Sequence, residues 1–171
     1  PQKDLSIDQS IDFGATAAAF TGDNSADFTV EFEPSATALE KQGAGYVVAS
    51  LGVDSGYVPY TSYSAKTSYM EKNPDIMQKF TNALQKGMDY VQKHTPEEIA
   101  RVIEPQFPET DLDTITAIVK RYYDQDTWKK NLVFGQEGFE LLQDILEDAG
   151  ELKERTPYEE LVNTEFAQNA S

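Results

Sequence analysis

The sequence predicts an α/β fold: a short parallel or mixed sheet with covering helices, followed by a helix-rich carboxyl-terminal part. Three observations carry this expectation. β-branched and aromatic runs alternate with short helical patterns up to about residue 56. From Lys66 onward, helix starts led by Asn-Pro and Thr-Pro follow one another almost without a break. Between the two parts lies turn chemistry, "GVDSGYVPY".

Each element has its own signal. Residues 5–11, "LSIDQSI", can form a strand, and "FGATAAAFTGD" reads as a small-residue helix ending near Gly22. "DFTVEF" is a β-rich run and so a strand. "PSATALEKQG" is a short helix with Pro34 in its first turn and Gly43 as its stop. "GYVVASL" reads as a strand buried on both faces. Residues 52–65 form a turn feeding an extended segment.

The long helix beginning at Asn73-Pro74 places Ile76, Phe80, Ala83, Leu84, Gly87 and Val91 on one stripe. Thr95, answered by Glu98, predicts a capping box. Pro105 and Pro108 break the chain. One further helix then carries Leu112, Ile115, Ile118, Val119 and Tyr122, and another carries Phe139, Leu142, Ile145 and Leu146 before Gly150. "TPYEELV" opens a last short turn of helix, and the tail "FAQNAS" is expected to fray. Composition shifts near Gly56, and the division expected is two lobes joined near Tyr57 to Tyr60.

Composition narrows the function. Hydrophobic residues at 39% and aromatics at 11% can furnish a core in 171 residues. A formal net charge of −16 with no basic cluster argues against nucleic acid and against an anionic membrane surface. The absence of cysteine excludes disulfides, thiolate nucleophiles and Cys-ligated metals. No signal peptide is visible, but "PQKDLSIDQ" reads as a loop entering a strand, so further sequence is expected before Pro1.

Chemistry-bearing constellations are few. Glu31 and Glu33, two apart on a strand, would share a side. They could serve as an acid/base pair, as a ligand-reading edge, or only as a solvated face. His94, the single histidine, falls in the last turn of a helix, where a cation complements the carboxyl end. "ETDLDT" lacks the glycine and terminal Glu of a calcium loop and suits an acid-rich helix start. "GAGY" has no phosphate-loop continuation. No catalytic set, cofactor site or metal site emerges, and no enzymatic activity is expected. Tyr57 and Tyr60, flanking Pro59, offer flat amphipathic surfaces, and either could face a cleft or pack beneath the helices.

Taken in order, "ADFTVEFEP", "GYVVASLG", "GYVPYTSYSA", "YMEKNPDIMQKFTNALQKGMDYV" and "FELLQDILEDAGEL" give the chain a further likeness. It resembles the solute-binding proteins of ABC importers in the sulfonate, nitrate, taurine and thiamine-pyrimidine group, the NMT1/THI5-like family. The "D-x-x-x-x-F-E-P" and "G-Y-x-P-Y" stretches carry most of the likeness. It implies a partial type II periplasmic-binding-protein-like fold: 1–56 in a second lobe, 57–65 as the interlobe crossing, and 66–171 as the helical end of the first lobe. It also implies an extracytoplasmic location, as a surface lipoprotein or in the periplasm, and delivery of a small solute to a permease. By the same likeness Glu31, Phe32, Glu33, Tyr57 and Tyr60 would line the ligand cleft. The two acids favour a nitrogen-rich or pyrimidine-like solute over sulfonate or nitrate. The rivals are a THI5-like pyrimidine-synthesising enzyme, which would want a His/Cys-rich metal region, and an interaction module without transport. Unpaired strand edges would favour self-association.

Overall fold

The computed structural model describes residues 4–23 and 25–171, so Pro1 lies outside the described residues. The helices are α1 (Thr16–Gly22), α2 (Ser35–Lys41), α3 (Leu51–Asp54), α4 (Thr67–Lys72) and α5 (Pro74–Lys93). They continue with α6 (Pro96–Ile103), a 3-10 turn at Glu104–Gln106, α7 (Leu112–Asp124), α8 (Gln136–Asp148), α9 (Tyr158–Leu161) and α10 (Glu165–Gln168).

The fold is helical, and the expected α/β sheet, with the type II binding-protein architecture that the resemblance implied, is corrected. Among the described residues no strand forms. The physical reason is pairing. A β-rich run becomes a strand only when a second run offers it backbone donors and acceptors. Residues 5–11, 28–32 and 45–50 have the right composition, but no backbone hydrogen bonds join one to another. They stay irregular, and the end of the third run coils into α3, which the sequence pattern does not suggest.

Helix ends follow local chemistry closely. Thr95 and Glu98 form the capping box, each side chain meeting the other's backbone N–H. Asp111 caps α7 through Thr114 N at 2.9 Å. After α2, Gly43 takes φ +70, a region costly for residues with a Cβ. That turn lets Gly43 N and Ala44 N satisfy the carbonyls of Glu40 and Leu39.

The core sits where α6 crosses α7. Ile99 and Ala100 meet Ile115 and Val119, with Tyr90, Val91, Ile103, Leu112 and Trp128 around them. Burial of each large aliphatic here contributes roughly 1.5–3 kcal/mol. A second centre lies on α8. Phe139 is buried against the rings of Phe134 and Tyr158, at 6.3 and 5.6 Å between centroids. Tyr158 donates to the Phe134 carbonyl, and Gln143 accepts from Thr156 N at 2.8 Å while donating to Thr156 O.

Two further expectations are corrected. On α5, Ile76 and Phe80 lie exposed, and the buried position is Gln85. Its amide donates to Asp89 Oδ1 at 2.8 Å and to the Lys130 carbonyl at 3.1 Å, so hydrogen bonds hold the middle of that face, while Val91 of the same stripe packs on the core. The tail forms α10 on α5, where Gln78 donates to Phe166 O at 3.0 Å. His94 ends α5 as expected of a structural residue: its ring stacks on Tyr90 and its Nδ1 lies 2.7 Å from the Tyr90 carbonyl. No helix among the described residues is long and apolar enough to cross a membrane.

Candidate functional site

The site grows from two faces of α7. Leu112, Ile115, Val119 and Tyr122 recur at helical spacing and turn toward the core. Asp111, Thr114, Arg121 and Gln125 recur at the same spacing on an adjoining stripe and reach the first part of the chain. Lys41 donates to Thr114 and lies 3.5 Å from Asp111. Ser50 donates to Gln125 at 2.9 Å.

At the centre of that stripe stands Arg121. Its fork reaches Glu33 at 2.5 Å through one nitrogen and Glu40 at 2.6 Å through the other. Glu33 is almost enclosed, its side chain 5% exposed, and it also accepts from Thr37 N and Thr37 Oγ1, each at 3.0 Å. Burial works against the Arg121 charge, yet the paired carboxylates of Glu40 and Glu33 outweigh it and hold the guanidinium pKa above its ordinary value. The Val47 N–H, and then Arg121, lower the pKa of Glu40.

Beside this ion-pair knot lies an aromatic cluster. Phe32 sits between Phe13, at 5.1 Å, and Tyr60, at 5.2 Å. These are ordinary tilted ring contacts. Unlike a core cluster, this one faces outward: Phe13 is 72% exposed, Tyr60 75% and Phe32 41%. Tyr122 lies under it, near both Tyr60 and Glu33, and burial raises its phenol pKa.

The five residues singled out from the sequence therefore divide. Phe32 and Tyr60 come together. Glu33 turns inward to Arg121, while Glu31, next to Phe32 in the chain, accepts from Thr29 at 2.9 Å. With no strand to align them, the two carboxylates do not form a shared edge. Tyr57 leaves the cluster and donates to Asp126 Oδ2 at 2.8 Å, which raises the Tyr57 pKa. Shallow hollows lie elsewhere, one between α1 and α2 and one beside Trp128.

Sequence reading missed Phe13, Arg121 and Asp126. The legible signal for Arg121 was the second polar stripe on α7, at the same spacing as the apolar one.

The cap of α7 gives a pH prediction. Thr114, through its hydroxyl and N–H, and then Lys41 lower the Asp111 pKa from 3.8 to about 2. The folded state thus holds fewer protons than the unfolded one across that interval. The stability from this cap is complete above pH about 4 and is lost as pH falls toward 2. Urea unfolding of Asp111→Asn is expected to show a shallower loss between pH 4 and 2 than the parent; equal slopes would contradict it.

Comparison with known proteins gives one informative match. Over all 171 residues the chain is 39% identical to "Putative binding protein YtlA" of Bacillus subtilis (strain 168). The match takes in 100% of this chain and 51% of that protein, so the chain spans about half the length of its relative. No family model matches the sequence. No solved structure matches it.

Proposed function

We propose that the chain belongs to a solute-binding protein that captures a small organic molecule outside the cytoplasm and hands it to an ABC permease. The relative's printed name, a binding protein, supports the binding role. The observation that carries the proposal is the outward-facing Phe13–Phe32–Tyr60 cluster. Aromatic faces left in water at a chain crossing suit a flat, partly apolar solute better than a compact oxyanion. Glu31, adjacent to Phe32, would add an acceptor for ring N–H or amine groups, so a nitrogen-rich, pyrimidine-like solute is preferred to sulfonate or nitrate.

Calorimetry on the full-length protein with an aminopyrimidine, taurine and nitrate tests this reading. Only the first is expected to bind. Tyr60→Ala is expected to weaken that binding about tenfold, close to 1.4 kcal/mol. Selective binding of an oxyanion, or an unchanged affinity in Tyr60→Ala, would overturn the assignment.

A further inference from the structure

The hollow beside Trp128 is small, about 80 Å³, but its walls share one chemistry. It lies where the last turn of α5 meets the last turn of α7, and Val91, Gln92, Tyr123, Asp126 and Trp128 line it. One water needs roughly 10–15 Å³, so the space exceeds a single water. Two aromatic rings, a carboxylate and a carboxamide meet there, and among the described residues no Lys or Arg joins them. Trp128 is held in place: the Tyr122 ring meets it in a T-shaped contact at 6.2 Å, and Gln92 Nε2 donates to its carbonyl at 3.2 Å. That bond uses the donor end of Gln92 and leaves Oε1 as an acceptor. Asp126 carries the sharper signal. It stops α7 with φ +56, and its N–H and that of Thr127 satisfy the carbonyls of Tyr123 and Tyr122. Glycine makes such a stop without the steric cost of a Cβ. What Asp126 adds is a carboxylate on the hollow. Tyr57 donates to Oδ2 at 2.8 Å, and Oδ1 takes no hydrogen bond from the described residues.

We infer that this hollow binds the ammonium group of a small organic cation. Ring faces attract a cation through their quadrupole, and Trp does so best. Asp126 Oδ1 supplies the opposite charge, and Gln92 Oε1 a neutral acceptor. An anion would instead meet the Asp126 carboxylate with no lining cation to offset it. The formal net charge of −16 raises the concentration of cations near the surface as a whole. None of the lining residues belongs to the Phe13–Phe32–Tyr60 cluster, so the inference does not depend on the solute bound there.

Tetramethylammonium chloride, titrated into the full-length protein at constant ionic strength, tests it. The readout is the Trp128 indole N–H signal in proton–nitrogen NMR spectra, assigned by its loss in Trp128→Phe. A saturating shift is expected, and tert-butanol, of similar size but uncharged, is expected to give none. Asp126→Asn removes the charge and keeps a residue that tolerates positive φ. It is expected to weaken binding about fivefold, the size of one exposed charge contact. Tyr123→Leu is expected to weaken it about threefold, with the helical circular dichroism unchanged. A shift that rises linearly without saturating would overturn the inference. So would an equal response to tert-butanol, or an affinity unchanged in either variant.

Discussion

Replacing Arg121 with leucine is expected to destabilise the chain by about 3 kcal/mol, the lower part of the range for breaking a buried ion pair. The reason is what stays behind. The Glu33 side chain is 5% exposed and would lose its counter-ion where water cannot replace it. Two hydrogen bonds from Thr37 remain, which keeps the loss from the upper end of that range. Arg155 is the natural control. It too forks over two acids, Asp144 and Glu147, but all three side chains are about half exposed. Arg155→Leu is therefore expected to cost far less than Arg121→Leu, since water replaces the lost partner. Arg121→Lys keeps the charge but not the two-armed reach, and is expected to fall between parent and Arg121→Leu. Glu33→Gln in the Arg121→Leu background should recover part of the loss, because the stranded charge is gone. Urea unfolding measures all four variants, and equal losses at Arg121 and Arg155 would show that Glu33 is hydrated after all.

The same knot explains what the sequence could and could not convey. Helices were legible because their signals are local. Thr95 and Glu98 are three residues apart, and Gly43 and Gly150 stand just past the ends of helices. The α7 core stripe, Ile115 and Val119 included, was legible for the same reason. Partners distant in sequence were not. Glu33 and Arg121 are 88 positions apart, and nothing in "DFTVEFEP" says whether Glu33 turns outward with Glu31 or inward to a guanidinium. The sheet failed on the same ground: β propensity describes the run, whereas a strand needs a second run beside it. Phe32 and Tyr60 did come together, although the reason first offered for them was a cleft, and the structure places them in an open cluster.

Scarcity of cations sharpens this picture. In a chain with 30 acids against 14 Lys and Arg, most carboxylates must face water or remain unpaired. Arg121 is spent on two acids at once, and both belong to the segment that carries Phe32. The geometry of the aromatic cluster thus depends on α7, through Arg121 and through Tyr122 beneath it. In Arg121→Leu, disorder is accordingly expected to reach Phe32 before it reaches the α6–α7 core.

Gly138 in α8 lies against residues 57–59, and its substitution by alanine is expected to destabilise by about 1–2 kcal/mol, against the usual sign. Within a helix, Gly→Ala normally stabilises by about 0.5–1 kcal/mol, because glycine has more backbone freedom to lose. At position 138 a Cβ would lie 2.9 Å from the Tyr57 carbonyl oxygen and 3.4 Å from Pro59 Cδ. The first of these is backbone and cannot rotate away, so residues 57–59 must lift from α8. Overpacking of that kind costs about 1–3 kcal/mol, which outweighs the helix gain. Gly87 in α5 supplies the opposite case, since a Cβ there meets nothing within 4 Å. Gly87→Ala is expected to be stabilised by about 0.5–1 kcal/mol. In thermal melts, differences of this size separate the two variants by several degrees, on a scale of about 2–4 °C per kcal/mol for a chain of this length. Lifting residues 57–59 also moves Tyr60 away from Phe32, so Gly138→Ala is expected to perturb the near-ultraviolet aromatic signal while Gly87→Ala leaves it intact. Stabilisation of both variants alike would mean that residues 57–59 do not rest on α8.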